Sequence, residues 1–187
     1  MSSSLVAVNV VSRAVRALDA LSPARFISCM TEPADEHPLP PSVARVLSTF
    51  RALGREEKMQ TLLHYAKRLE PVPERFLALD RAEFTVPECQ TRVDLFPELR
   101  DGKLYFYADV NTRQSPTVAA FLAILFSAIN GHPPETTLGI PSDFVRHMME
   151  GIGLAGREAG LNAMVTRIKR HARAALEHSA APHHDPT

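Results

Sequence analysis

The feature that most constrains the fold is an almost uninterrupted apolar stretch, Thr117–Ile129, which follows Pro116 and is closed by Asn130-Gly131. Proline is favoured in the first turn of a helix and glycine just beyond its last turn, so these bounds predict a single helix. The stretch has polar flanks and is shorter than the roughly 20 apolar residues that a membrane-spanning helix needs. We therefore predict a wide buried face and place this helix at the core of a domain.

A β-hairpin is predicted just before this helix. The runs Arg92–Phe96 and Lys103–Val110 alternate apolar and polar residues, and they are separated by Pro97 and by the turn signal Asp101-Gly102. A short third strand is expected at Glu83–Val86. The tyrosine face of the second run is interpreted as half-buried packing, with a partner surface as the alternative. Along this run one face carries Leu104, Phe106 and Ala108, and the other carries Tyr105, Tyr107 and Asp109.

Four further helices are predicted from apolar periodicity and from their start and stop signals. The first begins at Ser42, which is expected to be an N-cap, and ends before Gly54, and the second runs from Arg55 or Glu56 to just before Pro71. The third runs from Ser142 to about Glu150, and the fourth from about Arg157 to Leu176. The first two should form a hairpin whose apolar side is covered by the sheet. The second is expected to bury Met59, Leu62, Leu63 and Ala66.

Composition limits the classes of protein to which the chain can belong. The 187 residues, 45% of them hydrophobic and 22% charged, fit one compact domain, which we place at residues 39–176. The 21 basic residues balance the 21 acidic ones, so nothing global favours a nucleic acid or an anionic membrane as partner. The two cysteines, Cys29 and Cys89, are too few for a disulfide framework, which favours a reducing compartment.

The two ends of the chain are predicted to be disordered, at residues 1–38 and 177–187. The first 29 residues are rich in serine and contain Arg13, Arg16 and Arg25 but a single acidic residue, Asp19. That composition is typical of a transit peptide for a plastid or mitochondrion. The favoured alternative is that translation starts at Met30, with the cytoplasm as the compartment.

Cys89 is the candidate reactive residue. It follows Pro87, which favours a turn, and it precedes a predicted strand, so its thiol should lie at a loop tip. None of the eight histidines lies in a recognisable catalytic motif, and zinc or iron–sulfur sites need more ligands. A lone loop cysteine is suited to thiol exchange. Arg92 would favour the reactive thiolate, whereas Glu88 would disfavour it.

The segment Pro87-Glu-Cys-Gln-Thr-Arg-Val93 resembles the cysteine loop of the SufE family of sulfur-acceptor proteins. Glu56–Leu69, Pro71-Val-Pro73 and Arg157–Met164 are similar to other SufE segments and follow in the family's order. Agreement of four separated pieces in order and spacing is more specific than any one of them. The resemblance extends from about Pro40 to Arg173.

This resemblance implies an α+β fold, a small antiparallel sheet with helices packed on one face, which SufE proteins share with IscU-type scaffolds. It also implies that Cys89 accepts persulfide sulfur from a cysteine desulfurase, activates that enzyme, and delivers the sulfur to iron–sulfur cluster assembly. Pyridoxal phosphate (PLP) would belong to the desulfurase, and this chain would need no cofactor or metal. Independent enzymatic turnover is not expected. Self-association into a homodimer is left open.

The resemblance also implies supporting positions. Arg157 matches an arginine at the start of the family's last helix motif, Asp109 matches an acidic turn after the sheet, and Gln90 and Thr91 match loop residues that hydrogen-bond. Ordinary structural roles compete with each of these assignments. Many members have glycine where this chain has Glu88, and tryptophan where it has Asp94. The alternative function is a non-catalytic interaction module that regulates a desulfurase through its helical surface.

Overall fold

The computed structural model describes residues 37–153 and 155–180. The predictions of a transit peptide and of a start at Met30 lie outside the described residues, as does the tail after Ala180. The described chain contains, in order, α1 (Pro41–Ala52), α2 (Arg55–Ala66), α3 (Glu74–Leu77), β1 (Val93–Arg100), β2 (Lys103–Val110), α4 (Pro116–Ile129), α5 (Pro134–Leu138), α6 (Phe144–Met149) and α7 (Glu158–Ala180), with 3₁₀ turns at Arg81–Glu83 and Ala155–Arg157.

Helix α4 is the centre of the fold, as its sequence predicts. Apart from Pro116, Thr117 and Ser127, all of its residues are buried. Helices α1 and α2 and strand β2 pack around it. Burial of a continuous apolar surface is the main favourable contribution to folding, so α4 supplies the core on which the other elements assemble.

Strands β1 and β2 form an antiparallel hairpin in which Val93 lies opposite Val110 and Arg100 opposite Lys103. Asp101 and Gly102 both have positive φ angles, 52° and 71°, as a two-residue type I′ turn requires. The sheet has two strands within the described residues. The predicted α+β fold class is confirmed.

The prediction that the first strand ends at Phe96 is wrong, because β1 continues through Pro97 to Arg100. Pro97 lies opposite Phe106, whose amide and carbonyl groups point away from β1 and bind the side chain of Asn130 at 2.9 and 3.0 Å. The pair is therefore of the non-hydrogen-bonded type, and proline removes no bond from the ladder.

The predicted third strand is reduced to a single bridge between Thr85 and Asp94. The preceding residues Arg81–Glu83 form a 3₁₀ turn instead, which starts where Asp80 accepts a hydrogen bond from the amide of Ala82. The bridge nevertheless fixes this segment to β1, because Phe84 accepts a bond from Leu95 and Val86 donates one to Val93.

The sheet face opposite α4 is covered by the segment from Val72 to Phe84. A second apolar cluster there joins Phe76, Phe84 and Phe96 with partly buried Tyr107. The rings of Phe76 and Tyr107 are 5.5 Å apart, so this tyrosine packs as predicted rather than forming a partner surface. Beside it, Arg75 pairs at 2.7 Å with the fully buried carboxylate of Glu98.

Several details of the first two helices differ from prediction. Helix α1 begins at Pro41, and Ser42 does not cap it, because proline occupies the first helical position. In α2, Leu63 is 55% exposed, whereas Lys58 is buried and donates to the carbonyl of Glu150 at 2.9 Å. Helix α2 packs mainly against α4, and α1 packs equally against α4 and α6, so helices rather than the sheet cover their apolar side.

The region after α4 also differs in detail. The short helix α5, which starts at Pro134, was not among the predicted helices. Helix α7 begins at Glu158 and continues to Ala180, four residues beyond the predicted end at Leu176. Among the described residues, no helix combines the length and the apolarity needed to cross a bilayer.

Candidate functional site

Cys89 lies in a loop of six residues, 87–92, whose ends are joined by the hydrogen bond from Val86 to Val93 at 2.9 Å. Within the loop the amide of Cys89 donates to the carbonyl of Val86 at 3.3 Å, which closes a turn. The cysteine is free, half-buried and packed against the main core. The position between two anchored ends agrees with the predicted loop tip.

The sulfur of Cys89 lies against the first turn of α7. A Cβ atom placed on Gly160 would be 3.3 Å from Sγ and 3.4 Å from Cα of Cys89. These distances are tighter than most contacts of a real Cβ atom, so Cys89 would have to shift slightly if Gly160 carried a side chain.

A small cavity of about 70 Å³ lies beside the thiol. It is larger than the roughly 10–15 Å³ that one water-sized probe needs. Its lining residues come from the cysteine loop, α4, the 3₁₀ turn before α7 and α7 itself. They are Glu88, Cys89, Gln90, Thr91, Val118, Gly156, Arg157, Ala159, Gly160 and Leu161.

A hydrogen bond between two hydroxyl groups holds the C-terminal half of the cysteine loop against the start of α4. Thr91 Oγ1 and Ser115 Oγ are 2.9 Å apart, and Ser115 is buried at the N-terminus of α4. Serine at this position normally caps a helix through its side chain. Here the hydroxyl of Ser115 makes no capping bond and contacts the cysteine loop instead.

An ionic network on the sheet face opposite α4 joins residues on both sides of the cysteine loop. Asp94 is 1% exposed, lies opposite Asp109 across the ladder, and accepts a bond from Thr85 Oγ1 at 2.6 Å. The guanidinium of Arg81 contacts both carboxylates, and that of Arg92 lies 3.5 Å from Asp94. This network fixes the segment that leads into the loop.

The structure brings most of the predicted site residues to the cavity and places the others elsewhere. Glu88, Gln90, Thr91 and Arg157 line the cavity together with Cys89. Of the two predicted hydrogen-bonding residues, Thr91 makes its bond, whereas no described residue bonds the side chain of Gln90.

The two remaining predicted residues belong to the ionic network. Arg92 contacts Asp94, which lies in β1. Asp109 was expected in a turn after the sheet, but it lies within β2 and binds Arg81. The alternating pattern places Asp109 in the run Lys103–Val110, which β2 matches, so only the turn implied by the family resemblance is wrong.

None of the described residues that line the cavity is a histidine that could act as a general base. His147, on α6, pairs with Asp143 at 2.8 Å and lines a different cavity. Within residues 37–153 and 155–180, no cluster of three or more His, Cys, Asp or Glu side chains is arranged to bind a metal ion. The chemistry of the cavity therefore rests on the thiol of Cys89, the exposed charges of Glu88 and Arg157, and neutral neighbours.

Sequence reasoning missed Ser115 and Gly160. Ser115 precedes Pro116 in the position of a helix N-cap, which suggests a capping role and hides its contact with the loop. Gly160 lies within a helical pattern. An isolated glycine there suggests that another part of the chain packs closely against the helix, but the sequence does not show which part.

Three kinds of comparison with known proteins agree with one another. The family model SufE, described as an Fe-S metabolism associated domain, matches residues 44–172. Uncharacterized SufE-like proteins from two strains of Mycobacterium tuberculosis are each 32% identical over 154 residues, covering 78% of this chain and 99% of the relative. The solution structure of a hypothetical protein from Thermus thermophilus is 31% identical with a TM-score of 0.65, covering 74% of this chain and 98% of that one.

Proposed function

Because the chain belongs to the SufE family, which is associated with iron–sulfur metabolism, we propose that it is a sulfur carrier that works on Cys89. In this proposal a PLP-dependent cysteine desulfurase donates the sulfur, its turnover is stimulated, and the sulfur passes on to iron–sulfur cluster assembly. PLP is held by the desulfurase. The observation that carries the proposal is the free thiol of Cys89 beside a cavity of about 70 Å³.

The transfer step is a thiol exchange. The thiolate of Cys89 attacks the terminal sulfur of the cysteine persulfide on the desulfurase. A new S–S bond forms at Cys89 as the S–S bond of the donor breaks, and the donor cysteine leaves as a thiolate. One sulfur atom moves with no net oxidation or reduction, so the step needs no further reagent.

The lining of the cavity suits the product of this step. The persulfide adds one sulfur beyond Sγ, and the cavity beside Sγ has room for it. The exposed guanidinium of Arg157 and the first turn of α7 border the same cavity. Both a cation and a helix N-terminus favour a neighbouring anion, and a persulfide carries negative charge on its terminal sulfur.

The attachment of the loop suits delivery to a partner. Cys89 is half-buried, so its sulfur must move outward to reach the reactive cysteine of another protein. The side chains of the loop are fastened to α4 by the hydroxyl pair Thr91 and Ser115. A hydrogen bond of this kind contributes only about 0.5–1.5 kcal/mol, so the loop can open at a modest cost.

The direct test is intact-protein mass spectrometry after incubation with a purified, active cysteine desulfurase and cysteine. The wild-type chain should gain the mass of one sulfur atom, and a reductant should remove it. The Cys89→Ser variant should gain none and should no longer stimulate the desulfurase. Absence of the adduct on the wild-type chain would refute the proposal. Stimulation retained by Cys89→Ser would favour a non-catalytic interaction module.

A further inference from the structure

Gly160 is the third residue of α7, and its position within the helix is unexpected on propensity alone. Glycine in the interior of a helix destabilises it relative to alanine. The backbone of Gly160 is not in the left-handed region, so the conformation of the chain does not require glycine. A reason outside the helix must account for it.

That reason is the close approach of Cys89, which leaves little space for a side chain at Gly160. The three heavy atoms nearest to a Cβ on Gly160 all belong to Cys89, at 3.3, 3.4 and 3.6 Å. By contrast, a Cβ on Gly156, which lines the same cavity, would meet no other described part of the chain within 4 Å. Carbon atoms in favourable contact lie about 3.5–4.0 Å apart, so a methyl group on Gly160 would press on Cys89.

We propose that Gly160 is a positioning residue for sulfur transfer: by lacking a side chain, it lets the sulfur of Cys89 lie against α7 and limits the access of small reagents to it. The role in transfer rests on the carrier function proposed above. The contact between Gly160 and Cys89 does not depend on that function, because it exists in the chain without any added sulfur.

The cysteine loop, rather than α7, is the element that would move if a side chain were added. Helix α7 is 23 residues long and is anchored by Leu161, Met164 and Ile168, which are at most 1% exposed. The loop is fastened by the Thr91–Ser115 contact and by the 3.3 Å bond from the amide of Cys89. Added volume at position 160 should therefore push Cys89 outward.

The test compares Gly160→Ala with Gly156→Ala, a matched control in the same cavity wall. The first readout is the rate at which iodoacetamide alkylates Cys89. We expect Gly160→Ala to raise this rate about threefold or more, the change produced by a shift of about 0.7 kcal/mol in loop opening. Gly156→Ala should leave it at the wild-type value. The melting temperature of Gly160→Ala should not fall, because alanine favours the helix.

The second readout is the lifetime of the sulfur on Cys89 in the presence of glutathione. Gly160→Ala should lose its sulfur about threefold faster than Gly156→Ala. An alkylation rate equal to or below that of the control would overturn the proposal, and so would a variant that fails to fold, since the loop would then not be the element that yields. If the wild-type chain gains no sulfur, the carrier function fails, while the alkylation rates still decide the role of Gly160.

Discussion

Asp94 and Asp109 lie directly opposite each other across the β1–β2 ladder, and Arg81 contacts both carboxylates. Like charges in opposite positions destabilise a sheet. Asp94 is 1% exposed and cannot be screened by water as a surface carboxylate is. Arg81 compensates for both charges, and its position in the 3₁₀ turn ties the segment before the cysteine loop to the sheet.

Replacement of Arg81 by methionine should therefore destabilise the protein. Methionine retains the apolar stem but leaves the buried carboxylate of Asp94 with only the exposed guanidinium of Arg92 as its cation. We expect a loss of about 1–3 kcal/mol in the free energy of unfolding. Urea denaturation measures it. Arg146→Met removes an exposed pair with Asp143 and should cost less than about 0.5 kcal/mol. Equal losses in the two variants would contradict this account of the network.

Removal of the hydroxyl pair should loosen the cysteine loop without unfolding the domain. Thr91→Val keeps the shape of the side chain but removes its bond to Ser115. We expect a loss of about 1 kcal/mol in the free energy of unfolding and an increase of about fivefold in the alkylation rate of Cys89. Thr49→Val, on an exposed part of α1, is the control. An unchanged alkylation rate would show that the pair does not restrain the loop.

Stability should decrease in mild acid because of His171. The side chain is 3% exposed, and neither ring nitrogen has a hydrogen-bond partner in the described part of the chain. Burial, with the charges of Arg167 and Arg170, lowers the pKa of His171 from 6.5 to about 3. Between these two values the unfolded chain binds a proton that the folded chain does not, so stability falls as the pH falls below 6.5.

The expected loss between pH 7.5 and pH 5 is about 2 kcal/mol, from the difference in proton binding by the two states. Urea denaturation at the two pH values measures it in the wild type and in His171→Leu. The variant should lose about 2 kcal/mol less than the wild type over the same interval. The same pH dependence in both proteins would assign the loss to other groups.

Arg157→Ala should affect sulfur transfer rather than stability. The guanidinium is exposed and borders the cavity beside Cys89. If it stabilises the transferred sulfur, its removal should lower the transfer rate by about tenfold, the value of one favourable charge interaction of about 1.4 kcal/mol. The melting temperature should not change. Arg173→Ala, exposed further along α7, is the control, and an equal effect of both variants would indicate only the general charge of the helix.

The elements predicted correctly are those that local patterns determine. The apolar run of α4 can only be buried, and Asp101-Gly102 between two alternating runs favours a tight hairpin. The buried residues of a helix were predicted wrongly where contacts with distant parts of the chain determine which side chain is buried. Leu63 fits the apolar stripe of α2, but Lys58 takes a buried place because its charged end reaches the carbonyl of Glu150.

The candidate site shows the same division. Residues adjacent to Cys89 in sequence were found because they share its loop. Val118, Ser115 and Gly160 reach the thiol or its loop from other parts of the chain, and a single sequence contains no record of such distant contacts. Asp109 lies in β2, as the alternating pattern predicted, and only the turn position implied by the family resemblance was wrong.

Pro97 has a further consequence for the behaviour of the protein in concentrated solution. The segment Phe84–Val86 covers the outer edge of β1 up to Leu95, because Val86 donates a hydrogen bond to Val93 and Phe84 accepts one from Leu95. The next outward-facing position along that edge is Pro97, which has no amide hydrogen to offer to a strand from another molecule. A two-stranded sheet is exposed to aggregation at its edges, and this residue blocks strand addition at the point where the covering segment ends.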